Sequence, residues 1–185
     1  MKSTVLRWSL VLALVAVLVM VSAPLGARPV AAETIRIPID NYNVNCVIVS
    51  QTPPWVEDGI LHIRNRDMTG YVLSNSDTHE GTGHMVANAN IELATGYGSY
   101  WGTLEIYPYA YPDGYWAGSF SMQVNEGKVG GKARLQGYGS LNGLATKSDL
   151  MPLTPDQLGD YAYLCGGPPI SGAHAVGFIM DPGGE

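Results

Sequence analysis

Hydrophobic and polar residues alternate in short runs along most of the chain beyond residue 32. From Ile60 to Arg66, Leu61 and Ile63 face one way while His62, Arg64 and Arg66 face the other. From Met85 to Leu93, the apolar Ala87, Ala89, Ile91 and Leu93 oppose Asn88, Asn90 and Glu92. Similar runs cover Val44–Ser50, Ser99–Tyr107, Tyr115–Val124, Lys132–Leu141 and Ala173–Met180, with Gly70–Ser74 a shorter candidate. A period of two, filled by β-branched and aromatic residues, is the signature of strands. Turn chemistry at Tyr111-Pro112-Asp113-Gly114 and at Asn125-Glu126-Gly127-Lys128 joins such runs as antiparallel hairpins.

The pattern predicts an all-β fold, a meander of about eight strands. A meander leaves open edges unless it closes, so a small antiparallel up-and-down β-barrel is expected. Gly102, Gly118, Gly137 and Gly139 fall inside the runs, where they suit the tight bends of such a barrel. One segment breaks the pattern. Thr154-Pro155-Asp156-Gln157 places Thr at an N-cap, Pro at N1 and Gln at N3. It predicts a short helical turn within the Pro/Gly-rich connection from Met151 to Pro169.

Residues 1–32 read as a signal peptide. Lys2 and Arg7 give a positive start, Ser9–Val21 is an uncharged apolar run, Pro24 and Gly26 break it, and Val30-Ala31-Ala32 offers small residues for cleavage. A retained anchor over Trp8–Ala27 is the alternative. On the first reading a single β-barrel domain occupies residues 33–185, the mature chain begins near Glu33, and the protein is secreted or extracytoplasmic and free of the membrane. Removal of Lys2, Arg7 and Arg28, with no acid, takes the formal charge from −6 to −9. Nucleic acid is excluded as a partner, because phosphate recognition needs clustered Lys and Arg. The pair Arg64 and Arg66 and the group Lys128, Lys132 and Arg134 read as solvated strand faces. The chain has two cysteines, Cys46 and Cys165, neither beside a cation in sequence. In an exported protein an even count predicts a disulfide between them.

Several segments in the middle of the chain follow a recognisable order: His62-Ile63-Arg64, Asn88-Ala89-Asn90, Trp101-Gly102-Thr103, Gly114-Tyr115-Trp116-Ala117-Gly118, and Gly137-Tyr138-Gly139-Ser140-Leu141-Asn142-Gly143-Leu144. In this order they resemble a group of exported bacterial proteins similar to the allene oxide cyclase-like β-barrels, the superfamily that includes the dirigent proteins. The resemblance covers Ile60 to Leu150. It implies an eight-stranded antiparallel barrel with an apolar interior, and it carries over no catalytic position, because the cyclase pocket pattern has no residue-by-residue match in this chain.

Three groups of residues invite a chemical reading. Gly137 to Gly143 has a glycine spacing one residue longer than a dinucleotide fingerprint and lies in β-type sequence, so it reads as a barrel bend. Asp77-Thr78-His79-Glu80-Gly81-Thr82-Gly83-His84 is dense in potential ligands, but two glycines between the histidines break any helix, and it reads as a polar connection rather than a metal site. Glu92, Glu105 and His62 could serve proton transfer if they shared an inward face; alternation alone does not say which face is inside. No G-x-S-x-G elbow is present. No catalytic residue, metal or cofactor is therefore assigned.

The aromatics Trp101, Tyr107, Tyr115 and Trp116, with Glu105, lie on neighbouring runs and form the candidate ligand-binding set. The expected function is non-catalytic binding of a small apolar or aromatic molecule by an exported barrel. The alternatives are an isomerase or cyclase acting on a hydrophobic substrate, by analogy of fold alone, and a structural or surface-interaction protein with a packed interior.

Overall fold

The computed structural model describes residues 34–126 and 128–183. The signal segment and its cleavage site fall on residues outside this range. Eight antiparallel strands follow one another: β1 (Ile35–Glu57), β2 (Ile60–Ser74), β3 (Gly81–Glu92), β4 (Gly98–Pro108), β5 (Gly114–Asn125), β6 (Lys128–Gly139), β7 (Ala145–Pro152) and β8 (Ser171–Asp181). Each pairs with its successor, and β8 pairs back onto β1 from Ile35↔Asp181 to Asn45↔Ser171, so the sheet closes as a barrel. Two short helices, α1 (Pro155–Gly159) and α2 (Ala162–Cys165), lie between β7 and β8.

The expected barrel is present, but its strands divide the sequence differently. Ile60–Arg66 and Gly70–Ser74 are one continuous strand, β2. β1 starts well before Val44, and β7 has no counterpart among the alternating runs. Polar inward positions interrupt the apolar pattern on both strands, between Ile39 and Asn45 on β1 and before Leu150 on β7. Asn41 and Asn43 on β1 and Thr146 and Ser148 on β7 are all buried. The β1–β2 hairpin turns on Asp58-Gly59, both at positive φ, as a two-residue turn requires. Thr154 caps α1 as its sequence foretells: its side chain accepts from Gln157 N–H, and the Gln157 side chain accepts from Thr154 N–H.

Phase along the strands fixes the interior. Leu104 and Ile106 of β4, Trp116 and Phe120 of β5, Ala133 and Leu135 of β6 and Ile179 of β8 point inward and form one core cluster with Ile39 and Leu141. Glycines share this inward phase. A Cβ on Gly102 would strike the Val86 carbonyl oxygen, and one on Gly118 the Arg134 carbonyl oxygen. Gly137 and Gly139 end β6, and Gly139 and Gly143 take positive φ in the turn to β7, so this glycine-rich stretch is the bend expected of it.

The segment holding α1 and α2 crosses one end of the barrel. A disulfide joins Cys165, the last residue of α2, to Cys46 on β1. It closes a loop spanning 119 residues of sequence, which removes much of the entropy of the unfolded chain.

Two measurements check this construction. Replacing both Cys46 and Cys165 with Ala is expected to lower stability by about 4–5 kcal/mol on the chain-entropy account; urea unfolding of variant and parent reads it, and a loss under about 1 kcal/mol would contradict the account. Gly118→Ala should cost about 1–3 kcal/mol through backbone displacement, whereas Ser119→Ala on the outer face should leave the unfolding midpoint almost unchanged.

Candidate functional site

The two ends of the barrel differ. Near the Ser76–Glu80 turn the interior is filled by Ile39, Ile106, Trp116, Leu141 and Ile179, none more than 2% exposed. At the other end, beneath α1, the interior is hollow and holds a cavity of about 300 Å³. Its walls are mainly apolar: Ile63, Met68, Met85, Leu104, Phe120 and Met122 face it from β2 to β5, and Leu153, Leu158 and Ile170 from the connection that crosses this end. The disulfide lies within that connection, so the covalent bond that stabilises the fold also holds the cavity's cover in place.

Few polar groups face the cavity: Asn43 and Asn45 from β1, Ser171 from β8, Arg66 from β2, Asn88 from β3 and Tyr100 from β4. Asn45 Nδ2 donates to Ser171 Oγ at 3.0 Å. Asn43, only 6% exposed, has a buried Oδ1 with no hydrogen-bond partner among the described residues. A buried amide oxygen without a donor costs desolvation free energy, about 1–3 kcal/mol, that a bound hydroxyl or amide could recover. Tyr100 also lines the cavity, and burial pushes its phenol above the ordinary value, so it is neutral across the physiological range. Among the lining residues there is no carboxylate and no imidazole; Arg66 is the one charged side chain.

The aromatic set singled out in the sequence is not brought together at this cavity. Trp116 points inward but lies fully buried in the packed half. Tyr107 and Tyr115 point outward and stack with Tyr138 across β4, β5 and β6, with ring centroids 5.8 and 5.0 Å apart. Glu105 is on that outer face, accepting from Tyr107 Oη at 2.6 Å; this bond and the carboxylate's charge push the Tyr107 phenol up to about 12. Trp101 is also outside the cavity, where the Arg64 guanidinium sits between it and Trp55, 5.1 and 5.4 Å from the ring centroids. Arg64 is therefore no simple solvated side chain. Its Nη1 donates to the Ile63 and Ala89 carbonyls and its Nη2 to Asn90 Oδ1, tying β2 to β3 under two indole rings.

Nor do Glu92, Glu105 and His62 meet. Glu105 pairs with His84 on the β3–β4 ladder, while Glu92 lies beyond that ladder's other end and accepts from Thr95 Oγ1 at 2.8 Å. His62 stacks on Trp55 and bonds Asn90 Oδ1 through Nδ1 at 2.9 Å. The polar group from Asp77 to His84 divides likewise. His84 sits on the outer face, with Nε2 2.8 Å from Asp67 and Nδ1 3.4 Å from Glu105. His79 turns inward, is fully buried and stacks on Trp116 at 4.5 Å, with Nδ1 beside Thr78 Oγ1 and Nε2 without a partner among the described residues. The two imidazoles have opposite surroundings and share no ligand position.

The residues that line the cavity are mostly aliphatic and thioether side chains spread over several strands, and no local motif gathers them. A usable signal was nevertheless present: Asn41-Tyr42-Asn43-Val44-Asn45 alternates amides with bulkier side chains, which marks a strand face carrying hydrogen-bonding groups. No protein-family model matches the chain, and neither curated proteins nor solved structures yield a match.

Burial lowers the His79 pKa from 6.5 to about 4. Between those values the unfolded chain binds a proton that the folded chain refuses, so stability falls as pH drops through this window. For His84, partial desolvation opposes the charge but the hydrogen bonds and charges of Asp67 and Glu105 outweigh it and raise the pKa. Its contribution is thus full below pH 6.5 and fades as pH rises through the raised value. Urea midpoints at pH 7.5 and 4.5 should therefore differ less in His79→Gln than in the parent; equal losses would show that His79 does not carry the acid sensitivity.

Proposed function

We propose that this chain is an exported β-barrel that binds a small apolar or aromatic molecule in the cavity beneath α1 and does not transform it. The observation that carries the reading is the hollow half of the barrel, an apolar chamber of about 300 Å³ with the unpartnered Asn43 Oδ1 at its wall. Apolar walls with a few placed polar groups are the usual composition of a small-molecule site. The lining favours binding over acid–base catalysis, since the groups that most often move protons near neutral pH, imidazole and carboxylate, are not among the lining residues, and the Tyr100 phenol is held protonated by burial. The hollow interior likewise weighs against a purely structural barrel with a packed core.

Export is part of the proposal. The Cys46–Cys165 bond is compatible with an oxidising compartment, and among the described residues no helix is long and apolar enough to cross a membrane. Membership among allene oxide cyclase-like barrels is likewise proposed, on the segments between Ile60 and Leu150 and on the closed eight-stranded meander. The cyclase reading has no carboxylate or imidazole among the cavity's lining residues to support it.

Fluorescence titration with N-phenyl-1-naphthylamine tests the binding reading. Enhancement saturating near micromolar concentration, on the order of −8 kcal/mol, is expected for the parent chain. Ala87→Phe, which fills the cavity from β3, should weaken binding at least tenfold, and Leu153→Trp should do so from the opposite wall. Absence of enhancement in the parent, or undiminished binding in both variants with the fold intact, would refute the site.

A further inference from the structure

Arg64 and Arg66 stand two positions apart on β2, where simple alternation would send both outward. The register shows why they part. Ile63 pairs with Ala89 and Arg66 with Ala87, so two residues of β2, Arg64 and Asn65, face the single Asn88 of β3. This is a β-bulge, and it places Asn65 at a φ of 49°, in the left-handed region, with its N–H donating to Asn88 Oδ1 at 3.1 Å. Beyond the bulge the phase of β2 is reversed. Arg66 now shares the inward face with Met68 and points at the cavity, while Asp67 turns outward to His84. Bulges recur where a strand must re-aim one side chain at a site.

The two guanidinium groups also differ in what they hold. Both terminal nitrogens of Arg64 are engaged by carbonyl and amide oxygens. Arg66 donates through Nε to Gln51 Oε1 at 2.9 Å, which fixes the plane of the guanidinium, and no carboxylate lies within ion-pair distance of it among the described residues. A cation brought to an apolar cavity by a local distortion of its strand, and left without an anionic partner by the described residues, is a site for an anion supplied by a ligand.

We infer that Arg66 anchors the carboxylate of a compact apolar monocarboxylic acid whose hydrocarbon body fills the cavity. The inference rests on the binding reading above and names the ligand class for that site. Three observations select this chemistry. The guanidinium fork matches a planar carboxylate through two parallel N–H···O bonds. Arg66 is the one charged residue of the lining, so it compensates a single negative charge; a dianionic phosphate ester would bring an excess of charge into a chain whose formal charge is already −6. Finally, a volume of about 300 Å³ is at the lower end for ligand pockets and suits a bicyclic or medium-chain body rather than a long acyl chain.

Isothermal titration of the disulfide-bonded protein at pH 7 with 1-naphthylacetate and with 2-(1-naphthyl)ethanol, a neutral analogue of similar size, tests it. The acid should bind the parent at least tenfold more tightly than the alcohol, and its affinity should fall with added NaCl while that of the alcohol does not. Arg66→Gln should remove the preference by weakening the acid at least tenfold and leaving the alcohol within twofold, and Arg66→Lys should restore it only in part. An alcohol bound as well as the acid by the parent, or an Arg66→Gln variant that weakens both alike, would overturn the inference. If N-phenyl-1-naphthylamine binds but neither naphthyl compound displaces it, the ligand class falls while the cavity reading survives. If the probe does not bind either, both fall. The salt dependence is read on the parent chain, so the inference can be refuted even if Arg66→Gln fails to fold.

Discussion

Closing eight strands into a barrel this narrow brings neighbouring backbones so near that inward side chains compete with carbonyl oxygens for the same space. Gly102, Gly118 and Gly177 meet that constraint on three strands, since a Cβ at any of them would strike the carbonyl of the adjacent strand. The glycines let the sheet coil tightly, and the residues between them, such as Leu104, Trp116 and Ile179, then project into a shared core. Loss of coiling at one such position would be felt around the ring, because closure leaves no free edge to absorb the displacement.

The asymmetry of the interior follows from where large side chains lie along the strands. Trp116, Ile106 and Leu141, with the inward ring of His79, fill the end beneath the Ser76–Glu80 turn. Toward the other end the inward positions are slender or short, as at Met85, Ala87, Ser171 and Ala173, and they leave space that the connection from Leu153 to Ile170 covers without filling. The disulfide therefore has a local consequence besides its effect on the unfolded chain: it holds the segment that roofs the cavity against β1.

The outer surface shows how aromatic residues on strands need not mark a pocket. Tyr107, Tyr115 and Tyr138 stack on one another across three strands, and Trp55 and Trp101 enclose Arg64. Cross-strand pairs of this kind hold register on a face that water would otherwise loosen. The residues that shape the cavity are less conspicuous: amides on β1, thioethers on β2, β3 and β5, and a hydroxyl on β8.

The alternation of the chain, its turn dipeptides and its cysteine pair determined by themselves that this would be an antiparallel barrel with a short capped helix and a disulfide between Cys46 and Cys165. Those features depend on local backbone preference and on a period of two, which a strand displays wherever its inward residues are apolar. The same rule loses its signal where polar residues take inward positions, at Thr146 and Ser148 beside Leu150 on β7 and at Asn41 and Asn43 beyond Ile39 on β1. Only the tertiary structure decided which face of each strand lies inside, that Trp101, Tyr107 and Tyr115 are outside, that Trp116 is in a packed end, and that Arg66 meets the cavity. Each depends on register, and a single extra residue in one strand, as at the Arg64–Asn65 bulge, reverses every side chain beyond it. A sequence read one strand at a time carries the period but not the partner against which the phase is set.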